Sequence, residues 1–95
     1  MANTIRTTGF RVLIEALVKA RKSSGLTQRE LAKKLGCLPS TISDIESGNR
    51  RIDVAQLLSL SRALGLSAQA LYALYEESVL DEELVNNFSR PNRSR

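Results

Sequence analysis

The stretch that most constrains this chain is residues 27–48, TQRELAKKLGCLPSTISDIESG, because its turn and cap residues predict two short helices around a sharp turn. Thr27 is a good N-cap, and Glu30 three residues later completes a capping box. Gly36 stands where a helix reverses into a left-handed residue, which glycine adopts without a Cβ penalty. Pro39 suits the first turn of a new helix, because its missing N–H would have no intrahelical partner there.

The apolar residues of this stretch are spaced so that the two helices face each other. Leu31, Ala32 and Leu35 give the first helix a buried stripe, and Ile42 and Ile45 lie on the side of the second helix that faces it. Two helices joined by a glycine-containing turn, the second short and polar outside, form the helix-turn-helix pattern. The predicted helices cover residues 28–35 and 39–47.

These residues resemble the helix-turn-helix of the phage repressor and Cro family, also called the xenobiotic-response-element type. The resemblance covers about residues 10–75, because DVAQLLSLSRALGLSAQAL resembles the family's fourth and fifth helices. The sequence departs at Leu38, where the family usually has a Ser or Thr cap, and at Pro39, where a Gln that touches a base is common. The positions that match are Gln28, Leu31, Ala32, Leu35, Gly36, Ile42, Ser43, Ile45, Glu46 and Gly48.

The resemblance and the apolar periodicity together predict an all-α chain: a five-helix, lambda-repressor-like domain with an extra C-terminal helical segment. The first helix is expected over residues 10–23; Asp53 caps the fourth, Gly65 ends it, and Ser67 caps the fifth. Residues 76–89 are predicted to carry a sixth helical segment. That segment either folds back on its own domain or covers a matching surface of a partner subunit. The predicted units are a flexible arm (1–9), the DNA-binding domain (10–75), the helical segment (76–89) and a disordered basic tail (90–95).

The charge is unevenly distributed. Residues 1–75 hold eleven Lys and Arg against five Asp and Glu, which suits a polyanionic partner. Residues 76–89 hold five acids and no base. The acidic segment is therefore expected to face away from DNA.

Several functional classes are disfavoured by composition. With one cysteine and no histidine, the sequence offers neither a disulfide framework nor a zinc site nor a Cys–His catalytic pair, so we expect no metal, no cofactor and no enzyme. No apolar run approaches the roughly 18 residues of a membrane span, and no signal peptide is visible. A cytoplasmic protein with no membrane partner is the simplest expectation.

Taken with the resemblance, the helix-turn-helix pattern predicts how the chain would meet double-stranded DNA: helix three in the major groove and helix two across the backbone. The resemblance also implies an ion pair between Arg21 and Glu46. The residues expected to contact bases are Pro39, Ser40, Thr41, Ser43 and Asp44. Those expected to contact phosphates are Gln28, Ser47, Asn49, Arg50 and Arg51. Those expected at a dimer interface are Leu71, Tyr75, Val79, Leu80, Leu84, Val85 and Phe88.

The function predicted from these features is a sequence-specific transcription regulator, a repressor that binds a two-half-site operator as a homodimer. Two alternatives stay open. The chain could be an antitoxin or a restriction–modification controller, since both use this fold, with a protein partner such as a toxin or polymerase that the sequence does not identify. It could also be a protein-interaction module that does not bind DNA.

Overall fold

A computed structural model of the protein describes residues 7–85 and 87–88, and over these residues it contains five α-helices, one short 3-10 helix and no strand. The predicted all-α, five-helix fold is confirmed. The predicted tail and residues 1–6 of the predicted arm lie outside the described residues. The α-helices are α1 (Thr8–Ser23), α2 (Gln28–Leu35), α3 (Pro39–Glu46), α4 (Val54–Leu64) and α5 (Ala68–Ser78), and the 3-10 helix is Asp81–Leu84.

Local capping chemistry explains where α2 and α4 begin. The Thr27 side chain accepts a hydrogen bond from the Glu30 N–H, and the Glu30 carboxylate accepts one from the Thr27 N–H, at 3.0 and 2.8 Å. Asp53 and Gln56 form the same reciprocal pair at the start of α4. Both predicted capping boxes are confirmed, and each satisfies two backbone donors that a helix start otherwise leaves unpaired.

The start of α3 differs from that of its neighbours. Its N-cap is Leu38, which has no side-chain oxygen, so the N–H of Thr41 donates to the Leu38 backbone carbonyl at 3.0 Å instead. Replacing a polar N-cap by an apolar residue typically costs about 1 kcal/mol of stability. Pro39 offsets part of this cost, because it is pre-shaped for the first helical position.

One aliphatic cluster holds the helices together. Each of the five α-helices contributes at least one residue to it. Its buried members are Leu13, Leu17, Leu31, Ala32, Ile42, Leu60, Leu64 and Leu71. Leu71 is only 4% exposed in the single chain. Its side chain is therefore already used by the core of its own chain, and its place at a dimer interface stays a prediction.

The predicted helical segment over residues 76–89 is helical in two pieces within the described residues, rather than one continuous helix. α5 ends at Ser78, Val79 is extended, and only the four residues Asp81–Leu84 form a short 3-10 turn. Acidic residues near a helix C-terminus interact unfavourably with the helix dipole, and Glu76 and Glu77 are followed closely by three more acids. Extending α5 would add to that repulsion, whereas the observed turn lets the Glu83 carboxylate accept a hydrogen bond from the start of α1.

The segment of residues 79–85, called the strap below, packs against the start of α1 in the same chain. A Cβ atom built at Gly9 would lie 2.9 Å from the Cβ of Val79 and 3.0 Å from two ring carbons of Tyr75, so this close approach requires glycine. The Tyr75 ring also meets Phe10 edge to face, with 5.5 Å between the centroids. Of the two interpretations of the acidic segment, folding back on its own domain therefore describes Val79.

The Glu83 carboxylate fixes the strap to α1. It accepts hydrogen bonds from the Thr8 N–H, the first of α1, and from the Leu80 N–H, both at 3.0 Å. Thr7, the N-cap of α1, makes no side-chain cap of its own. Glu83 thus supplies from 75 positions away the cap that the local sequence lacks.

The Glu83 contact predicts a pH response at the start of α1. The hydrogen bonds from the Leu80 N–H and then the Thr8 N–H lower the pKa of Glu83 from the ordinary value of 4.5. A lowered pKa means that the contact stabilises the fold above the ordinary value and is lost as the pH falls through the lowered one. In an NMR titration, the Glu83 carboxyl should titrate below 4.5, and the Thr8 amide resonance should follow it.

Two variants test that assignment. Glu83→Gln should abolish the acid-induced shift of the Thr8 amide, whereas Glu82→Gln, which removes an exposed neighbouring charge, should leave it in place. A Thr8 amide that does not respond to acid in the unmodified chain would contradict the strap contact.

Candidate nucleic-acid interface

A buried hydrogen-bond network joins the ends of three helices. Arg21 donates through Nε to Glu46 Oε2 at 2.7 Å, through Nη2 to Glu46 Oε1 at 3.1 Å, and through Nη1 to the Leu26 carbonyl at 2.7 Å. The side chains of Arg21 and Glu46 are only 9% and 10% exposed. The pair implied by the resemblance is therefore present, in the two-pronged geometry that makes Arg–carboxylate contacts strong and directional.

Gln28 belongs to the same network. Its Nε2 donates to Glu46 Oε1 at 2.8 Å, so Glu46 at the end of α3 is held both by the last turn of α1 and by the first residue of α2. A primary amide carries two donors on its nitrogen. One side-chain N–H of Gln28 therefore donates to Glu46. The other N–H of the same amide group is a second donor at the start of α2.

The outer face of α3 is small and polar. Ile42 and Ile45 are buried against the domain, while Ser40, Ser43 and Asp44 are exposed. Pro39 and Thr41 are partly buried. The structure therefore brings all five predicted base-contacting residues onto one short helix, with three of them open to solvent.

The loop that follows α3 is internally organised. The Ser47 hydroxyl donates to the Asp44 carbonyl at 3.2 Å and accepts from Asn49 Nδ2 at 3.0 Å. The Asn49 backbone N–H also bonds to the Asp44 carbonyl, and Gly48 between them has φ +81°. The single hydroxyl proton of Ser47 is used in the bond to Asp44, so the Ser47 oxygen acts as the acceptor for Asn49. This second bond orients the Asn49 side chain. Arg50 and Arg51 follow on the exposed surface.

Three further exposed residues of the helix-turn-helix were not among the predicted site residues. Arg29 and Lys33 are one helical turn apart on α2 and are both exposed, and the i, i+4 spacing of two basic residues was the signal. Leu38, at the start of α3, is 69% exposed. Lys34 serves the fold instead, because its Nζ donates to the Ala63 carbonyl near the end of α4 at 3.0 Å.

The residues predicted at a dimer interface separate into two groups. Leu71, Tyr75 and Val79 are buried or partly buried within the chain, as described above. The members that remain on the surface are Leu80, Leu84, Val85 and Phe88, the last of them 98% exposed.

A bundle that locks a short polar helix across a second helix, with basic residues on both flanks, is the architecture of a helix-turn-helix DNA-binding domain. A helix-turn-helix family model of the Cro/C1 type matches residues 17–71. The chain belongs to this family.

Solved structures with the same fold include gene regulators. An XRE-family like protein from Pseudomonas syringae pv. tomato is 35% identical, with a TM-score of 0.67 over 73% of this chain and 84% of that one. The clp gene regulator ClgR from C. glutamicum is 30% identical, with a TM-score of 0.64 over 74% of this chain and 90% of that one. The comparisons support a DNA-binding transcription regulator.

A curated relative matches a shorter stretch. A protein of Yarrowia lipolytica that carries the provisional name multi-protein-binding factor 1 is 38% identical over 52 residues. The match spans 55% of this chain and about a third (34%) of that relative's length.

Two further findings bear on the predicted functional classes. No helix within the described residues is long and apolar enough to cross a membrane. The same part of the chain contains no group of three or more His, Cys, Asp or Glu side chains placed to hold a metal ion.

Proposed function

We propose that this chain is a transcriptional repressor that binds an operator of two half-sites as a homodimer, with α3 in the major groove. The observation that carries the proposal is the Arg21–Glu46–Gln28 network. It fixes α3 to the first residue of α2, so that a helix lying across the backbone and a helix entering the groove keep one relative orientation. Such rigidity is what a base-reading helix needs, because a small displacement breaks hydrogen bonds to base edges.

Phosphate contacts would flank α3 on both sides. On one side, the second amide N–H of Gln28 and the backbone N–H groups at the start of α2 would hold one phosphate, which the helix dipole favours. On the other side, Asn49, Arg50 and Arg51 follow α3, with Ser47 holding the Asn49 amide in place. Arg29 and Lys33 extend the basic surface along α2. Together these groups would position α3 without reading sequence.

The polar side chains of α3 would read bases. Ser40, Thr41 and Ser43 can donate or accept hydrogen bonds, and their small size allows the helix to approach base edges closely. Asp44 is the exception, because phosphates repel its carboxylate. Binding is favourable only where the carboxylate accepts a hydrogen bond from a donor such as cytosine N4 or adenine N6. Pro39 can offer only an apolar contact.

A pair of variants separates holding DNA from reading it. Arg50→Ala should weaken binding to all sequences similarly and reduce the slope of log K against log salt by about one unit. Asp44→Asn should instead raise affinity for random DNA and relax preference at one base pair in each half-site. Binding titrations at several salt concentrations, with selected and random DNA, measure both effects. An unchanged selected sequence for Asp44→Asn would remove Asp44 from the reading set.

The exposed apolar residues of the strap and beyond it suit a symmetric dimer. A cluster of Leu80, Leu84, Val85 and Phe88 is too apolar for a merely solvated tail. Leu80 and Leu84 lie in the strap, which Glu83 joins to the start of α1, about 20 Å along that helix from Arg21, given 1.5 Å of rise per residue. This separation would leave the DNA-facing end of the domain clear.

The proposed interface predicts a change of assembly state. The double variant Val85→Ser/Phe88→Ser should sediment as a monomer at concentrations where the unmodified chain is a dimer. The matched control is Val54→Ser, which replaces another exposed apolar residue outside this cluster and should remain dimeric. A double variant that stays dimeric would remove the cluster from the interface.

Selection of bound sequences from random DNA with the purified full chain tests the function as a whole. Enrichment of an inverted repeat with half-sites about one helical turn apart supports the proposal. Failure to enrich any sequence, together with salt-independent weak retention on DNA, would favour a protein-interaction module instead.

A further inference from the structure

Leu38 is an apolar residue exposed at the start of the helix that would read DNA. Its side chain is 69% exposed. As the N-cap of α3 it also provides no side-chain oxygen, whereas the N-cap side chains of α2, α4 and α5 all accept a hydrogen bond. Leucine at this position therefore both lacks a capping hydrogen bond from its side chain and exposes an apolar surface. Neither feature is explained by the stability of the single chain.

The backbone around Leu38 is held without help from its side chain. Leu38 is extended, with φ −79° and ψ 148°, and a residue that precedes proline is restricted to this region. Its carbonyl accepts the Thr41 N–H at 3.0 Å. The side chain is consequently available for contact from a rigid support, directly beside Pro39 and the exposed Ser40.

In the major groove, the apolar group that distinguishes one base from another is the C5-methyl group of thymine. A 5-methylcytosine presents the same group at the same place. In helix-turn-helix proteins, the N-terminal residues of the reading helix are the ones that approach base edges. Exposed basic residues on α2 and after α3 favour nucleic acid over an apolar protein surface as the occupant of this position.

We propose that Leu38 packs against the C5-methyl group of a pyrimidine in each half-site, and so adds an apolar, methyl-dependent element to the specificity of the domain. The inference rests on the proposed DNA-binding function. It adds to the polar contacts of α3 a recognition that does not use hydrogen bonds.

The test removes the methyl group from the DNA and the leucine from the protein. In the operator selected by the full chain, each thymine is replaced in turn by uracil and each cytosine by 5-methylcytosine, and affinity is measured for each duplex. For the unmodified chain, uracil at the contacted thymine should weaken binding about fourfold, and about fifteenfold when both half-sites are changed, as expected for one buried methyl per half-site.

Two variants make the result specific to Leu38. Leu38→Ser supplies a capping oxygen, so its midpoint of thermal unfolding should equal or exceed that of the unmodified chain, while its affinity should no longer depend on the methyl group. Leu38→Met keeps a flexible apolar side chain and should retain the dependence. Any loss of methyl recognition in Leu38→Ser then cannot be attributed to unfolding.

The outcomes separate the inference from the function on which it rests. If replacing one thymine by uracil weakens binding only when residue 38 is apolar, the proposal is supported, with thymine as the source of the methyl group. A cytosine whose methylation strengthens binding under the same condition supports it with 5-methylcytosine as the source. Specific binding with equal methyl dependence, or none, in both Leu38→Ser and the unmodified chain overturns it. Absence of any specific binding would overturn the proposed function as well.

Discussion

Glu46→Ala is expected to destabilise the protein by about 3–5 kcal/mol, because it leaves the Arg21 guanidinium buried without its carboxylate. The two side chains are about nine-tenths buried, and Glu46 receives two hydrogen bonds from Arg21 and one from Gln28. A domain of this size is typically stable by only about 5–15 kcal/mol, so the loss is a large fraction of the total. Urea unfolding followed by circular dichroism measures it.

The double variant Arg21→Met/Glu46→Leu is the control for this result. Replacing both members of a buried pair by apolar residues of similar volume is often neutral or stabilising, because no charge remains to be desolvated. The double variant should therefore recover most of the stability that Glu46→Ala loses. A Glu46→Ala protein within about 1 kcal/mol of the unmodified chain would instead place the pair among weak, exposed ion pairs.

Ile42→Ala is expected to cost about 2–5 kcal/mol, the usual range for truncating a buried isoleucine. Ile42 is 1% exposed and belongs to the same buried cluster as Leu31 and Ala32 of α2. The cost combines the lost transfer of three carbons out of water with the cavity that remains between α2 and α3. Because a short helix has little stability of its own, α3 depends on this packing to keep its place.

Val54→Ala is the matched control for Ile42→Ala. Val54 is also aliphatic and helical, but it is exposed, so its truncation should change the free energy of unfolding by no more than about 0.5 kcal/mol. A cost for Ile42→Ala as small as that for Val54→Ala would contradict the central position of Ile42 in the core.

For the acidic segment, residues 76–89, sequence reasoning predicted a helical segment but not its form, which is the end of α5 followed by a short 3-10 helix. Its apolar residues at 79, 80, 84, 85 and 88 are compatible with helical spacing, and helix was the natural interpretation. Periodicity does not reveal that the carboxylate of Glu83 reaches the first N–H of α1. A contact between residues 75 positions apart depends on how α1 and α5 pack, and no local pattern encodes it.

Elements with local causes could be predicted from the sequence. The boundaries of α2 follow from the Thr27–Glu30 box and the left-handed Gly36, and the start of α4 follows from the Asp53–Gln56 box, because each is a hydrogen-bond pattern among residues within four positions. The helix-turn-helix and its family were readable for the same reason. A run of residues with fixed spacing specifies one supersecondary unit.

Only the tertiary structure decided which apolar and polar side chains remain available for contact. Leu71 and Phe88 are both apolar residues in the C-terminal part of the chain, yet one is buried in the core and the other is almost fully exposed. Likewise, the Ser47 hydroxyl donates its proton to the Asp44 carbonyl, whereas the Leu38 side chain is exposed at the start of α3. Burial and hydrogen-bond pairing depend on how whole helices pack against one another, and that packing is a property of the folded chain rather than of any segment within it.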